Sequence, residues 1–136
     1  YSQGIVFGDS IVGGLVGLSG LTYIINSYTN NTVQGDSYLG GFLGFDGLGS
    51  TIVNSYSYGY VTGRIGTGGF IGIAFPTTNI THSYWNTQTS GQTQSAGGEG
   101  RTTQQMQTQS NYVEWDFMNI WRINQGQDYP RLAWQP

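Results

Sequence analysis

The sequence contains no cysteine and no lysine. The missing cysteines exclude disulfides, thiol nucleophiles and thiolate metal sites. Only 8% of the residues are charged and the net charge is −3, so nucleic acid and anionic membrane surfaces are poor partners. No apolar run approaches the roughly 20 residues that span a bilayer, so we expect no membrane insertion. Functions that depend on thiols or on dense positive charge are therefore disfavoured.

Glycine, in contrast, is abundant, with 23 residues in 136, and it recurs in register. The pattern Gly-Gly-apolar-apolar-Gly occurs at 13–17, 40–44 and 68–72. A second marker, Asn-Ser-Tyr or His-Ser-Tyr, ends at Tyr28, Tyr56 and Tyr84, so its copies are 28 residues apart. A fixed period of this length is typical of stacked-repeat architectures.

Units of this length are too short for a helix and two strands, but three short strands with turns fit well. We therefore predict an all-β, right-handed parallel β-solenoid of about three coils over residues 1–86. The aromatic-rich segment 87–136 has no period and is predicted to be a C-terminal cap over the open edge of the last coil. A short helix is expected within it, with Thr102 or Thr103 as N-cap.

In such a stack, equivalent residues form ladders. Two apolar ladders are predicted inside the core: Val6/Val33/Val61 and Val16/Leu43/Ile71. The column Leu15/Phe42/Phe70 is adjacent to the second ladder and would point the opposite way on a straight strand. Either the chain bends at the glycines and both columns are buried, or one apolar column faces outward. In that second case a cap, a neighbouring subunit or a second layer covers it.

Polar columns are predicted at the corners and on the surface. The column Gly4/Asn31/Gly59 indicates a left-handed backbone, which asparagine tolerates best after glycine. Asn26 and Asn54 are expected to form a side-chain amide ladder, with His82 as a structural residue in the same column. A surface charge ladder is expected from Asp9, Asp36 and Arg64.

These motifs resemble the GLUG repeat of large secreted or surface-anchored prokaryotic proteins. That family includes adhesin-like proteins and non-catalytic regions of immunoglobulin A-specific metallopeptidases. The resemblance implies a solenoid in an extracellular protein and no defined catalytic chemistry. Phe42 and Phe70 stand where the family usually has leucine, and His82 stands where it usually has asparagine. The residues that carry the resemblance are 12–17, 26–28 and their later copies, then 83–86, 98–106, 115–117, 120–121 and 129–134.

No set of residues predicts a catalytic, cofactor-binding or metal site. Glu114 and Asp116 share strand parity and are the closest approach to a pair of glycosidase acids. His82 is the only histidine, and no Asp-rich loop suits calcium. Aromatic residues instead form the predicted interaction face, with the tyrosines exposed on one side of the first strand. This face consists of Tyr28, Tyr56, Tyr58, Tyr60, Phe42 and Phe70.

The sequence favours a non-enzymatic structural or adhesive module of an extracellular, cell-surface prokaryotic protein. Its expected partners are copies of itself or other repeats of the same chain. Tyr1 lies within a repeat, which predicts a mature or excised part of a longer protein. Its N-terminal edge would continue into upstream coils or join another subunit in a filament. The alternative is a carbohydrate-binding module that uses the tyrosine face to bind glycans. A polysaccharide-degrading β-helix enzyme is less favoured, because it rests on fold analogy alone.

Overall fold

The computed structural model describes residues 1–136 and is a parallel β-solenoid of three coils. Each coil has four sides, which we call A to D in chain order. Coil 1 (1–27) contains β1 (Ser2–Phe7), β2 (Ser10–Gly13), β3 (Val16–Ser19) and β4 (Tyr23–Ile25). Coil 2 (28–55) contains β5 (Tyr28–Gln34), β6 (Ser37–Gly40), β7 (Leu43–Asp46) and β8 (Thr51–Val53). Coil 3 (56–83) contains β9 (Tyr56–Ser57), β10 (Val61–Thr62), β11 (Ile65–Gly68), β12 (Ile71–Ile73) and β13 (Asn79–Thr81), with β9 and β10 sharing side A.

Strands on the same side pair in parallel, and their register confirms the predicted columns. Each residue lies opposite the one that is 27 or 28 positions away. The observed ladders include Val6–Val33–Val61, Gly13–Gly40–Gly68 and Val16–Leu43–Ile71. The repeat period therefore sets the register of the whole stack.

Each coil has four sides rather than three, because the predicted glycine strand bends at its Gly-Gly pair. The two halves, such as β2 and β3, then lie back to back with their backbones in close approach. A Cβ added to Gly44 would lie 2.9 Å from the backbone nitrogen of Val12, so no larger residue fits there. This bend buries both apolar columns, and the outward-facing alternative is wrong.

The glycine strands divide the interior into two hydrophobic clusters. One lies between sides A and B and contains Val12, Val33, Leu39 and Val61. The other lies against sides C and D and contains Phe42, Leu43, Ile52, Phe70, Ile71 and Trp85. Packing of these ladders, rather than a single globular core, holds the coils together.

The residues after coil 3 form two segments with different roles. Side A continues with β14 (Tyr84–Asn86) and β15 (Glu99–Arg101), which pair in parallel. Residues 87–101, which we call the end cover, cross the last coil. Residues 102–136, which we call the tail, lie outside side A. The tail contains α1 (Thr103–Met106), a 3₁₀ turn (Gln109–Asn111), β16 (Trp121–Arg122) and β17 (Arg131–Leu132).

Thr102 is the N-cap of α1, which confirms one of the two predicted residues, Thr102 and Thr103. Its hydroxyl accepts a hydrogen bond from the backbone of Gln105, whose side chain accepts one from the backbone of Thr102. No helix has the length and hydropathy of a membrane span.

The predicted corner residues are only partly right. Asn26, Asn54 and His82 have φ of 49°, 50° and 47°, so this column occupies the left-handed region. The Oδ1 atoms of Asn26 and Asn54 accept no hydrogen bond, so the predicted amide ladder is wrong. Asn31, for which the sequence predicted a left-handed backbone, does not adopt one. It is buried in the extended strand β5, where its amide donates to Ser2, Thr29 and the carbonyl of Gly14.

Candidate interaction surface

The predicted tyrosine column runs along the outside of side A, but it is not an exposed face. The column consists of Tyr1, Tyr28, Tyr56 and Tyr84. The rings of Tyr28 and Tyr56 are stacked 5.0 Å apart, and those of Tyr1 and Tyr28 are stacked 5.2 Å apart. Stacking was therefore predicted correctly. The predicted exposure is wrong for Tyr28 and Tyr56, which are buried, and Tyr58 is half-buried. Tyr60 is exposed, as is Tyr1 at the end of the column.

The tail buries this column. Trp121 and Trp115 pack against the ring of Tyr56, with centroids 6.1 Å and 6.0 Å away. The hydroxyl of Tyr28 donates to Oε1 of Gln135 at 2.8 Å, and that of Tyr56 donates to the carbonyl of Pro130. The tail thus satisfies the phenols as well as covering their rings, which leaves no tyrosine platform for a sugar.

Burial also fixes the protonation state of these phenols. Burial raises the pKa of Tyr56 well above its ordinary value, and the neighbouring phenols add to the shift. Burial raises the pKa of Tyr58 to about 12, again with a contribution from nearby tyrosines. Both side chains are neutral at physiological pH and serve as packing groups, and the Tyr56 hydroxyl also donates to the carbonyl of Pro130.

Phe42 and Phe70, the other predicted interaction residues, lie inside the solenoid. Both are fully buried, and their rings stack 4.6 Å apart at 24°. They form a core ladder at the tip of the glycine bend and do not face a partner.

Glu114 and Asp116, the closest approach to an acid pair in the sequence, make separate contacts. Glu114 points toward His82, with 3.6 Å between its Oε2 and the histidine Nδ1. Asp116 instead accepts hydrogen bonds from the backbone of Met118 and Asn119, each at 2.9 Å. The two carboxylates are therefore committed to different local structures.

A groove of about 590 Å³ lies between the last coil and the tail. His82, Glu99, Arg101 and Tyr84 line it, and the guanidinium of Arg101 sits 3.5 Å from the centroid of the Tyr84 ring. Arg101 also pairs with Glu99 at 3.2 Å. No group of three potential metal ligands occurs in the chain. The charged groups of this groove are thus paired with one another.

Asp46 is the functional-looking residue that sequence reasoning missed. It is fully buried, and its carboxylate accepts hydrogen bonds from Ser19, Ser50 and Thr78, which belong to three different coils. Burial alone would raise the pKa of Asp46, but these hydrogen bonds outweigh it and hold the pKa below its ordinary value. Because hydroxyls surround the carboxylate, it acts as a structural anion that ties the coils together.

The N-terminal end of the stack is open. The strands β1, β2, β3 and β4 pair with coil 2 on one side and with nothing on the other. Four interior residues at this end are only half-buried, whereas their ladder partners in coil 2 are fully buried; Val12 is the buried exception. The half-buried set is Val6, Leu15, Val16 and Ile24. Free strand edges around an incompletely covered core are the features of an interaction surface.

The C-terminal end differs because the end cover, residues 87–101, lies over it as the sequence predicted, although β13 on side D pairs only with β8 and Ile80 is half-buried. The backbone of Val61 donates to the carbonyl of Ser90 at 2.9 Å, and that of Gly69 donates to the carbonyl of Gln94 at 3.0 Å. Ser95 Oγ accepts from the backbone of Ile71 at 2.8 Å. The tail was predicted to cover this end too, but it lies on side A instead.

Charge contributes little to either end. The predicted ladder of Asp9, Asp36 and Arg64 forms on the surface, where the guanidinium of Arg64 donates to the carboxylate of Asp36.

Comparison of the chain with protein-family models, with curated proteins and with solved structures found no match. The open end is therefore identified as a candidate site on structural grounds alone.

Proposed function

We propose that the chain is a non-enzymatic structural module of an extracellular prokaryotic surface protein, and that its open N-terminal end stacks on another β-coil. The observation that carries this proposal is the open end itself, where four strands have unpaired outer edges around a half-buried apolar core. The resemblance to GLUG repeats and the scarcity of charge support the extracellular setting. An adhesive or filament-forming protein is the expected context.

The test is to add a coil. A copy of residues 28–55 placed before Tyr1 ends in Asn-Ser, as the native coils do, and so continues the repeat in register. We expect the added coil to fold, to increase the β-sheet signal in circular dichroism and to raise the free energy of unfolding, because neighbouring repeats stabilise one another.

The matched control carries a scrambled 28-residue segment of the same composition. A genuine coil should resist proteolysis while the scrambled segment is removed. Equal protease sensitivity of the two extensions, with no gain in stability from either, would contradict the proposal.

A second candidate function, glycan binding, is favoured by a groove on the tail. This aromatic groove has a volume of about 640 Å³ and is lined by Tyr112, Trp115, Phe117, Met118, Gln109, Ser110 and Gln125. An uncharged groove with aromatic walls and amide groups at its rim matches the chemistry of a neutral sugar. A glycan array should then show binding that Phe117→Ala removes and that Tyr60→Ala, at an exposed tyrosine outside the groove, leaves intact. Binding that ignores Phe117→Ala would remove this candidate.

A further inference from the structure

The strands beside each glycine bend carry two further columns, which belong to neither of the two interior clusters. The columns are Ile11/Tyr38/Gly66 before the bend and Leu18/Phe45/Ile73 after it. They contact each other, because the rings of Tyr38 and Phe45 lie 6.2 Å apart, and Cδ1 of Ile73 is 3.2 Å from where a Cβ on Gly66 would lie. Together they form one surface, which we call the flank stripe.

The flank stripe lies on the side of the solenoid opposite the tail. The tips of the glycine bends reach side A, where Ser57 Oγ donates to the carbonyl of Gly69 at 2.7 Å and the amide of Asn31 donates to the carbonyl of Gly14. The open ends of the bends, which carry the stripe, therefore face away from side A. Neither the tail nor a coil stacked on β1 to β4 would cover the stripe.

The side chains of the stripe are accessible in all three coils. Leu18 is 61% exposed, Tyr38 is 39% exposed and Ile11 is 37% exposed. Phe45 and Ile73 are half-buried. Single exposed apolar residues are normal on a protein surface, but a contiguous strip that runs along the whole stack is a feature of an interaction site.

The backbone of the first column points to the same conclusion independently. Ile11 and Tyr38 have φ of 58° and 59°, close to the 60° of Gly66. The left-handed region is costly for β-branched and bulky residues, and such strain is typical of functional positions. Interior packing does not explain these two residues, because both side chains lie outside the clusters. A contact outside the monomer would explain them.

Charge at the edge of the stripe indicates the partner. The column Asp9/Asp36/Arg64 lies two residues before the first stripe column, and thus within about 7 Å of it. Arg64 pairs with Asp36, and Asp9 has no ion pair. The sign of this column therefore changes along the solenoid axis, from negative in coils 1 and 2 to positive in coil 3.

We propose that the flank stripe packs against the flank stripe of a second copy of this chain, with the two solenoids antiparallel. A two-fold axis that crosses the stripe at coil 2 places coil 1 of each copy opposite coil 3 of the other. Asp9 then faces Arg64 of the partner subunit, while Asp36 keeps its own Arg64. A parallel pair would place coil 1 beside coil 1 and would leave Asp9 without a cation.

The sizes of the side chains match in the same arrangement. Coil 3 has no side chain at Gly66, and Ile11 of the partner subunit fills that space. Tyr38 and Phe45 lie at coil 2, so each meets its own copy near the two-fold axis, where aromatic rings can stack. A parallel pair would instead leave a gap beside Gly66 in both copies.

Sedimentation velocity of the 136-residue chain provides the first test. We expect a concentration-dependent species of twice 14.8 kDa. Ile11→Asn removes two apolar side chains from the dimer interface and should raise the dimer Kd about tenfold or more. Because asparagine suits the left-handed region, this variant should not destabilise the monomer, so the loss of the dimer would not reflect misfolding. A chain that stays monomeric at high concentration, or an unchanged Kd in Ile11→Asn, would overturn the proposal.

A charge variant tests the pairing of coil 1 with coil 3. Asp9→Arg puts a cation opposite Arg64 of the partner subunit and should raise the dimer Kd several-fold. The matched control is Asp128→Arg, which makes the same change of charge at an exposed carboxylate of the tail. Equal effects of the two variants would show that only net charge matters, and would contradict the proposed contact.

Cysteine cross-linking tests the antiparallel orientation, because the chain has no cysteine of its own. The Tyr38 positions of the two copies lie near the two-fold axis, so Tyr38→Cys should give a disulfide-linked dimer under mild oxidation. The Ile11 positions are two coils apart, or roughly 10 Å, so Ile11→Cys should cross-link much more slowly. Faster cross-linking at position 11 than at position 38 would contradict the antiparallel dimer.

The coil-extended chain separates this proposal from the stacking function. Its added coil covers β1 to β4 but not the flank stripe, so it should still dimerise and remain sensitive to Ile11→Asn. If the added coil folds and removes the dimer, association runs through the open end and the flank contact is wrong. If the added coil does not fold while the 136-residue chain dimerises as described, the stacking function fails and the flank contact holds.

Discussion

The two ends of this solenoid differ in how far their hydrophobic core is covered. At the C-terminal end, residues 87–101 hydrogen-bond to the last coil, and Val61, Phe70 and Ile71 are as buried as their counterparts in coil 2. At the N-terminal end the same ladders finish in half-buried residues beside free strands. A repeat protein needs a cover at each end, because each repeat buries only part of its own core. The difference supports the proposal that another β-coil stacks on the N-terminal end.

The largest expected effect contrasts the covered tail with the open end. Trp121 is fully buried against the tyrosine column, whereas Trp134 lies beside Tyr1 at the open end and is 70% exposed. Trp121→Ala should lower the free energy of unfolding by about 3–5 kcal/mol. Trp134→Ala should change it by less than about 0.5 kcal/mol in the monomer. Urea denaturation of both variants measures the contrast, and similar losses for the two would show that the tail packs no more tightly on the middle of the tyrosine column than beside Tyr1.

A valine ladder provides the best-matched comparison, because the same residue occupies the same position in all three coils. Val33 and Val61 are fully buried, and Val6 is half-buried. Val33→Ala and Val61→Ala should each cost roughly 2–3 kcal/mol, and Val6→Ala about 1 kcal/mol or less. Equal losses at Val33 and Val61 would verify the cover at the C-terminal end. A loss at Val61 as small as that at Val6 would mean that residues 87–101 leave that end open.

Acid should weaken the link that Asp46 makes between the two ends. The pKa of Asp46 is lower in the folded chain than in the unfolded one, so the folded state binds fewer protons. Its stabilisation is complete above the unfolded pKa of about 3.9 and is lost as the pH falls through the folded pKa. Asp46→Asn should cost roughly 1–2 kcal/mol at pH 7 and should reduce the loss of stability below pH 4. Asp128→Asn, at an exposed carboxylate, is the control and should leave the acid-dependent loss unchanged.

The smallest effect concerns backbone strain at the open end. Ile11, Tyr38 and Gly66 form one column with φ of 58°, 59° and 60°. This conformation suits glycine and is rare for a β-branched residue. Ile11→Asn should therefore stabilise the chain by about 0.5–1 kcal/mol, while Ile65→Asn, at an exposed residue of β11 with ordinary φ, should not. A loss of stability from Ile11→Asn would show that packing of the isoleucine outweighs the strain.

The repeat period predicted the fold because each column is sampled three times along the chain. Ladders such as Val6/Val33/Val61 follow from spacing alone, and so does their register. The path of the tail does not, because residues 102–136 have no period. The repeat pattern is the same whether a tyrosine ladder is exposed or covered. Tyr28 and Tyr56 are buried because the tail packs on them, and the repeat pattern does not indicate where the tail lies.

Asp46 was missed for a related reason. It occurs in one coil only, where the sequence indicates a loop of variable length, and a single carboxylate in such a loop resembles a surface residue. The structure instead places Asp46 at the end of β7. The signal that was present lies beside it, in the hydroxyl column Thr22/Ser50/Thr78 at a spacing of 28 residues. Hydroxyl ladders next to a lone acid indicate a buried hydrogen-bonded anion, because a buried charge needs several donors.

Amide hydrogen exchange tests the central claim most directly, since it compares the two ends within one molecule. In the 136-residue chain, the amides of β1 to β4 should exchange faster than those of β11 and β12. Adding the extra coil before Tyr1 should bring the exchange of β1 to β4 down to the rate of coil 3. Slow exchange of coil 1 in the monomer, unchanged by the added coil, would contradict an open N-terminal end that accepts another coil.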